Sequence, residues 1–169
     1  LDIIGAKFIR EVDNGEIVYI ENDELKSLKP FPKRKKRPFV FEYIYFSRPD
    51  SLLDGITAYE YRKKLGAQLS KEDKIKADLV VPVPDSGNAA AIGYSQSKNI
   101  KFDLGLIRNH YVGRTFIEPA QKIRSLGVKL KLNANKSSIK NKVIILVDDS
   151  LVRGTTSHKI VNMLYDAGA

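Results

Sequence analysis

The sequence contains no cysteine, no tryptophan, one methionine and only two histidines among its 169 residues. Without cysteine there can be no disulfide framework, no thiolate metal site and no cysteine nucleophile. His110 and His158 stand far apart, unlike the paired histidines of a zinc site. No stretch approaches the roughly 18 consecutive apolar residues of a membrane span. The start, Leu1-Asp2-Ile3, has neither the basic region nor the apolar core of a signal peptide. A soluble, cytoplasmic protein with no membrane partner is the expectation. Acidic residues are in the minority: 20 Asp and Glu against 29 Lys and Arg give a net charge of +9. Such a surface attracts phosphate in some form, whether nucleotide, sugar phosphate or nucleic acid. Hydrophobic residues make up 43% of the chain, enough for a buried core and too many for a disordered one.

The chain starts without Met and stops at Asp166-Ala167-Gly168-Ala169, where Gly168 reads as a helix stop; this is expected to be a piece of something longer. Ala6 to Glu11 and Glu16 to Glu21 are apolar–polar runs joined through Asp13-Asn14-Gly15, a spacing that predicts a β-hairpin. Lys29 to Pro38 follows, with prolines that block regular structure and five consecutive cations, Lys33 to Arg37, that repel one another. It reads as a linker. A basic pentamer also suits nucleic acid or a localisation signal, but no aromatic residues are interleaved for base stacking, so nucleic acid is not the expected partner.

Beyond the linker, Phe39 to Phe46 is dense in aromatic and β-branched residues and predicts a buried strand. Tyr61, Leu65 and Leu69 recur every four positions and predict a helix with Thr57 as N-cap. Asp78 to Val83 is a short apolar run, followed by a polar loop, Asp85 to Asn88, that opens a helix at Ala89. Lys142 to Val147 repeats the pattern, with a polar loop from Asp148 to Thr156 and a helix from Ser157 to Ala167. Strand, polar loop and helix form the unit of a parallel sheet, and continuous apolar strands imply one covered on both faces. The fold class is α/β.

In such sheets ligands gather at the carboxyl ends of the strands. After Val147 stand two adjacent carboxylates, Asp148 and Asp149, then Ser150, Arg153, Gly154, Thr155, Thr156 and Ser157. Gly154 lets the backbone approach an anion, and the hydroxyls and free N–H groups of the helix start can donate to phosphate. Carboxylates beside a phosphate cradle suit a ligand with both a ribose diol and phosphate, with Mg²⁺ where charges collide. An isolated Asp-Asp pair reads equally as a strand end, and the threonines as a helix cap; the ordered polar run after an apolar strand favours binding. Neither a Walker A loop nor a Gly-x-Gly-x-x-Gly fingerprint occurs. On their own residues, Asp85 and Ser86 read as a helix cap.

Ile144 to Thr156 (IILVDDSLVRGTT) resembles the phosphoribosyl-pyrophosphate (PRPP) signature of type I phosphoribosyltransferases. Phe41 to Ser51, Val81 to Tyr94, Gly105 to Gln121 and Lys129 to Ala134 narrow the resemblance to the amidophosphoribosyltransferase family. It runs nearly the whole length. Residues 1–37 resemble the end of an N-terminal glutaminase domain plus a basic linker, and residues 38–169 a phosphoribosyltransferase domain truncated at its C-terminus.

The resemblance implies an enzyme that transfers ammonia, derived from glutamine, to C1 of PRPP, giving 5-phosphoribosylamine and pyrophosphate at the opening of purine synthesis. It implies that Asp148 and Asp149 serve the ribose hydroxyls and Mg²⁺, joined at the metal by Ser86, that Arg153 to Ser157 (Arg153, Gly154, Thr155, Thr156 and Ser157) hold the 5′-phosphate, and that Ser150 is among the PRPP-binding residues. Asp85, Ser86 and Gly87 match the pyrophosphate loop. Arg108 to Lys131 matches a flexible loop that closes over PRPP and completes an ammonia passage, with Arg108, Tyr111 and Arg114 as its catalytic candidates, Lys122 and Arg124 as further cations, and Gly113 and Gly127 as hinges. His110 stands where many relatives carry Arg. The implied partners are PRPP, ammonia or glutamine, purine nucleotides as feedback inhibitors, the rest of the glutaminase domain, and further copies in a homo-oligomer. Some relatives carry an iron–sulfur cluster; with no cysteine, none is expected here, and glutamine-dependent activity is not expected of the fragment alone. A phosphoribosyltransferase-fold regulator that binds nucleotide or RNA without transfer is the alternative.

Overall fold

A computed structural model describes residues 4–110, 131–152 and 154–169. The chain divides into two compact units, Leu1–Phe39 and Val40–Ala169. In the first, β1 (Ile17–Glu21) pairs antiparallel with β2 (Glu24–Leu28), Ile17 facing Leu28 and Glu21 facing Glu24. This corrects the expected hairpin: Ala6 to Glu11 is not a strand. Asn22 and Asp23 both take positive φ, 52° and 61°, the two-residue turn whose twist matches that of the flanking strands. Asp13-Asn14-Gly15 does turn, with the Glu16 N–H donating to Asp13 O at 3.0 Å. The Glu16 carboxylate then accepts from Arg10 at 2.7 and 2.8 Å and from Asp13 N–H at 2.6 Å, which occupies the preceding segment in a polar clasp. No described residue of this unit is buried.

The expected buried strand at Phe39 to Phe46 is absent: from Val40, where the second unit begins, the chain is helical and runs into a π-helical turn, Glu42–Phe46, with no buried residue. Aromatic side chains at helical spacing account for it. Phe41 packs on Tyr45 with ring centroids 5.2 Å apart, and Tyr43 on Tyr61 at 4.6 Å. The open carbonyls at the end of this turn are met from outside: Arg62 donates to Tyr43 O at 2.8 Å and to Ser47 O at 2.7 Å.

A two-residue ladder, β3 (Leu52–Leu53) with β4 (Ile56–Thr57), leads into α1 (Ala58–Glu72). Thr57 caps it as expected, its hydroxyl accepting from the Glu60 N–H at 3.2 Å. The buried stripe of α1 is Ala58, Arg62, Gly66 and Ser70, one position away from the apolar series that revealed the helix. Leu65 and Leu69 keep 39% and 48% exposure because backbone, not side chain, meets α2 (Asn88–Lys98). A Cβ on Gly66 would lie 1.8 Å from Ala90 O, and one on Gly93 1.9 Å from Lys63 O.

The sheet orders β6–β5–β9, all parallel, with β5 (Leu79–Pro82) central, β6 (Lys101–Phe102) on one side and β9 (Ile144–Val147) on the other. Both faces of β5 are covered, as its unbroken apolar run requires. Leu79, Val81 and Val83 face Ile160 and Leu164 of α4 (Thr155–Asp166), together with Leu106 and Ile139. Val80 and Val147 face Ala91 and Tyr94 of α2. A separate antiparallel ribbon, β7 (Leu106–Arg108) with β8 (Leu132–Ala134), is followed by a single turn, α3 (Lys136–Ile139). Gly168, at φ +98°, ends α4 as expected.

Candidate functional site

Because β5 and β9 are parallel and in register, Pro82 beside Val147, their following loops emerge at one edge of the sheet. The loops touch. The Val83 N–H donates to Val147 O at 2.8 Å, extending the ladder, and the Gly87 N–H donates to Val83 O at 2.9 Å. A Cβ on Gly87 would stand 2.5 Å from Val147 O, so the loop after β5 runs backbone against backbone over the end of β9. Gly87 is the N-cap of α2 and no side chain caps that helix. The capping reading of Asp85 and Ser86 is therefore replaced. Asp85 turns outward, and its carboxylate accepts from Arg108, at the end of β7, at 2.7 Å.

Ser86, Asp148 and Asp149 line one cavity of about 320 Å³. Its walls come from Ile44, Leu65, Leu69 and Arg62, so an apolar slot opens onto an acidic floor. The Asp149 N–H donates to Asp148 Oδ1 at 2.9 Å, and the Ser150 hydroxyl donates to Asp149 Oδ1 at 2.7 Å. Asp149 Oδ2 is buried and has no hydrogen-bond partner; Asn88 Oδ1, at the start of α2, is in the same state. A buried acceptor left open costs free energy unless something fills it. Asp148 keeps access to solvent along one side, yet crowding at the strand ends pushes its carboxyl above the usual range, and the neighbouring Asp149 charge adds to this.

Gly154 takes φ +70° at the start of α4, with nothing within 4 Å of where a Cβ would sit. The helix begins at Thr155, two residues earlier than expected, so the hydroxyls of Thr155, Thr156 and Ser157 lie on its first turn beside N–H groups without intrahelical partners. Such free N–H groups and hydroxyls can donate to an anion. Tyr111, Arg114 and Arg153, with Gly113, Lys122, Arg124 and Gly127, lie outside the described residues. Among the described residues no three His, Cys, Asp or Glu side chains cluster as a closed metal cage. An oxygen set with one open carboxylate oxygen fits Mg²⁺, which keeps waters and takes only one or two protein carboxylates beside phosphate oxygens. The sequence did not single out Arg62; its signal was a cation in a helical stripe of small residues.

A parallel α/β sheet with an acidic pair and a hydroxyl-rich helix start at one strand end is the arrangement of type I phosphoribosyltransferases. No family model matches the chain. It is 55% identical over 174 residues to the amidophosphoribosyltransferase of Rhizobium etli, covering 100% of this chain and 35% of that protein. Against the enzyme of the same name from Bacillus subtilis the identity is 48% over 168 residues, covering 99% and 35%. A solved structure described as glutamine PRPP amidotransferase from B. subtilis complexed with ADP and GMP superposes with a TM-score of 0.88 at 48% identity, covering 99% of this chain and 37% of the other. A second, described as the allosteric regulatory enzyme of purine biosynthesis, gives the same TM-score. Over its whole length the chain corresponds to one stretch of the amidophosphoribosyltransferase family. It spans about a third of the length of the curated relatives it matches.

Proposed function

We propose that this chain carries the PRPP-binding part of an amidophosphoribosyltransferase, which joins ammonia to C1 of PRPP. The observation that carries the reading is the buried, unpartnered Asp149 Oδ2 in an acidic pair facing the same strand ends as the start of α4. Carboxylates accept, so Asp148 and Asp149 take the donating hydroxyls of the ribose. The first turn of α4, with Gly154, Thr155, Thr156 and Ser157, donates to the 5′-phosphate; Ser150 and Arg153 belong to the same group. Asp85, Ser86 and Gly87 border the pyrophosphate, and Arg108, Tyr111 and Arg114 bring charge and hydrogen bonds to it.

The ammonia lone pair forms the bond to C1 while the bond from C1 to the pyrophosphate oxygen breaks. The electron pair leaves on pyrophosphate, and the added nitrogen gives a proton to solvent. Charge develops on the leaving group, so the protein contributes by orienting the sugar and stabilising that charge, without a covalent intermediate. Mg²⁺, held by Ser86, Asp148 and Asp149, would supply positive charge to the pyrophosphate oxygens.

Residues 1–37 are assigned to the end of a glutaminase domain, and residues 38–169 to the transferase domain. Glutamine, purine nucleotides as inhibitors, a homo-oligomer and a cytoplasmic location complete the reading. Among the described residues no helix is long and apolar enough to cross a membrane. The test is a calorimetric titration of PRPP with and without Mg²⁺, using Asp148→Asn/Asp149→Asn as control. Mg²⁺-dependent binding lost in the double variant supports the assignment; binding that survives it removes the acidic pair from the site.

A further inference from the structure

Arg62 is 7% exposed, and its guanidinium is held by two neutral acceptors, Tyr43 O and Ser47 O. The described residues give it no ion pair. A buried cation bonded only to carbonyls is costly unless a charge lies near enough to compensate. The charge within reach is across the cavity: Arg62 and Asp149 line the same 320 Å³ space, together with Asp148 and Ser86. Burial lowers the Arg62 guanidinium from its ordinary value, and the Asp149 charge acts in the opposite direction. On the acidic side, two adjacent carboxylates repel, and one of their oxygens has no donor.

We infer that Arg62 is a positioning residue for the acidic pair, a fixed counter-charge anchored on backbone carbonyls that balances Asp149 across the cavity without filling its open oxygen. This rests on the function proposed above. A direct ion pair would neutralise Asp149 and also block it. A guanidinium tethered to Tyr43 O and Ser47 O neutralises at a distance and leaves Oδ2 for the ligand. The same charge makes the empty pair a weaker trap for a bare divalent cation and a better host for an anionic sugar phosphate.

The test compares wild type, Arg62→Gln and Arg62→Lys in the full-length protein. Mn²⁺ binding is read by paramagnetic resonance, and ribose 5-phosphate binding by calorimetry in metal-free buffer. Loss of the charge in Arg62→Gln is expected to tighten Mn²⁺ about three- to tenfold and to weaken ribose 5-phosphate by a similar factor. Arg62→Lys keeps the charge and is expected to hold both within about twofold. A purely architectural role would weaken both ligands together in both variants, and that result overturns the inference. So does an effect of Arg62→Gln on Mn²⁺ that persists in an Asp149→Asn background. Should Arg62→Gln fail to fold, Arg62→Lys decides: a folded lysine variant that loses ribose 5-phosphate tenfold overturns the inference, and one that retains it supports it. A wild type that binds neither probe removes the proposed function as well, whereas normal wild-type binding with no change in Arg62→Gln removes only the role of Arg62.

Discussion

Arg108 at the end of β7 donates to the Asp85 carboxylate at 2.7 Å, joining the antiparallel ribbon to the loop that follows the central strand. Both side chains are about half exposed, so the pair adds little to stability, about 1 kcal/mol at most. Its importance is positional, because it keeps a guanidinium beside the proposed pyrophosphate loop. Arg108→Gln is expected to leave the urea midpoint unchanged and to lower kcat/KM for PRPP about 10- to 100-fold, the loss of one charge-assisted bond to the leaving group. Ammonia-dependent pyrophosphate release is the assay. An unchanged kcat/KM would take Arg108 out of the site.

The contact between α1 and α2 predicts a stability effect with no ligand involved. A methyl group at Gly66 collides with Ala90 O, a backbone atom that cannot turn aside. Gly66→Ala is expected to cost about 3 kcal/mol, seen as a lower denaturant midpoint with an unchanged slope.

Asp148 presents the opposite case, a residue whose removal should stabilise. Its folded pKa is raised by burial, so the charged form is disfavoured by folding. The penalty is present at pH above the raised value and disappears as pH falls below the ordinary carboxylate range. Asp148→Asn is expected to raise Tm slightly at neutral pH, solvent access keeping the gain small, and to abolish PRPP binding. The Tm gain should vanish in acid. A gain independent of pH would contradict the electrostatic origin.

Tyr94, 1% exposed, donates from its hydroxyl to the Asp73 carboxylate and accepts from the Lys98 ammonium at 2.9 Å. Hydrogen bonds from Tyr94 first, then from the Ile75 N–H, hold the Asp73 carboxyl below its usual range. A lowered acid pKa contributes stability that is present above the ordinary value and is lost as pH falls through the folded one. Tyr94→Phe should therefore lower Tm at neutral pH and flatten its decline in acid, read by thermal melts from pH 7 downwards.

Long, one-signed patterns were legible in the sequence. β5 and β9 are unbroken apolar runs between polar loops, α1 has Thr57 at its start, and the run from Asp148 to Ser157 supplies the residues proposed for the phosphate and diol halves of the site. All but one of the failures come from contacts distant along the chain. Phe39 to Phe46 has the composition of a strand, but its conformation is supported by Tyr61 and by Arg62, which reaches Tyr43 O and Ser47 O from a later helix. The exception is in the first unit, where Asp13-Asn14-Gly15 carries the hairpin signal and Asn22-Asp23 closes the hairpin instead. The pairing of Asp85 with Arg108 and the sharing of a cavity by Arg62 and Asp149 depend on tertiary placement that neither periodicity nor a local motif encodes.

The ribbon of β7 and β8 continues one step beyond its strands, for the Asn109 N–H donates to Lys131 O at 2.7 Å. The two strands of the ribbon are thus still tied together where Asn109 meets Lys131. The closure entropy of chain spanning two such tethered ends changes only slowly with its length. This makes the 109/131 junction a natural graft point, where a short turn or a foreign loop could be installed without redesigning the three-stranded sheet.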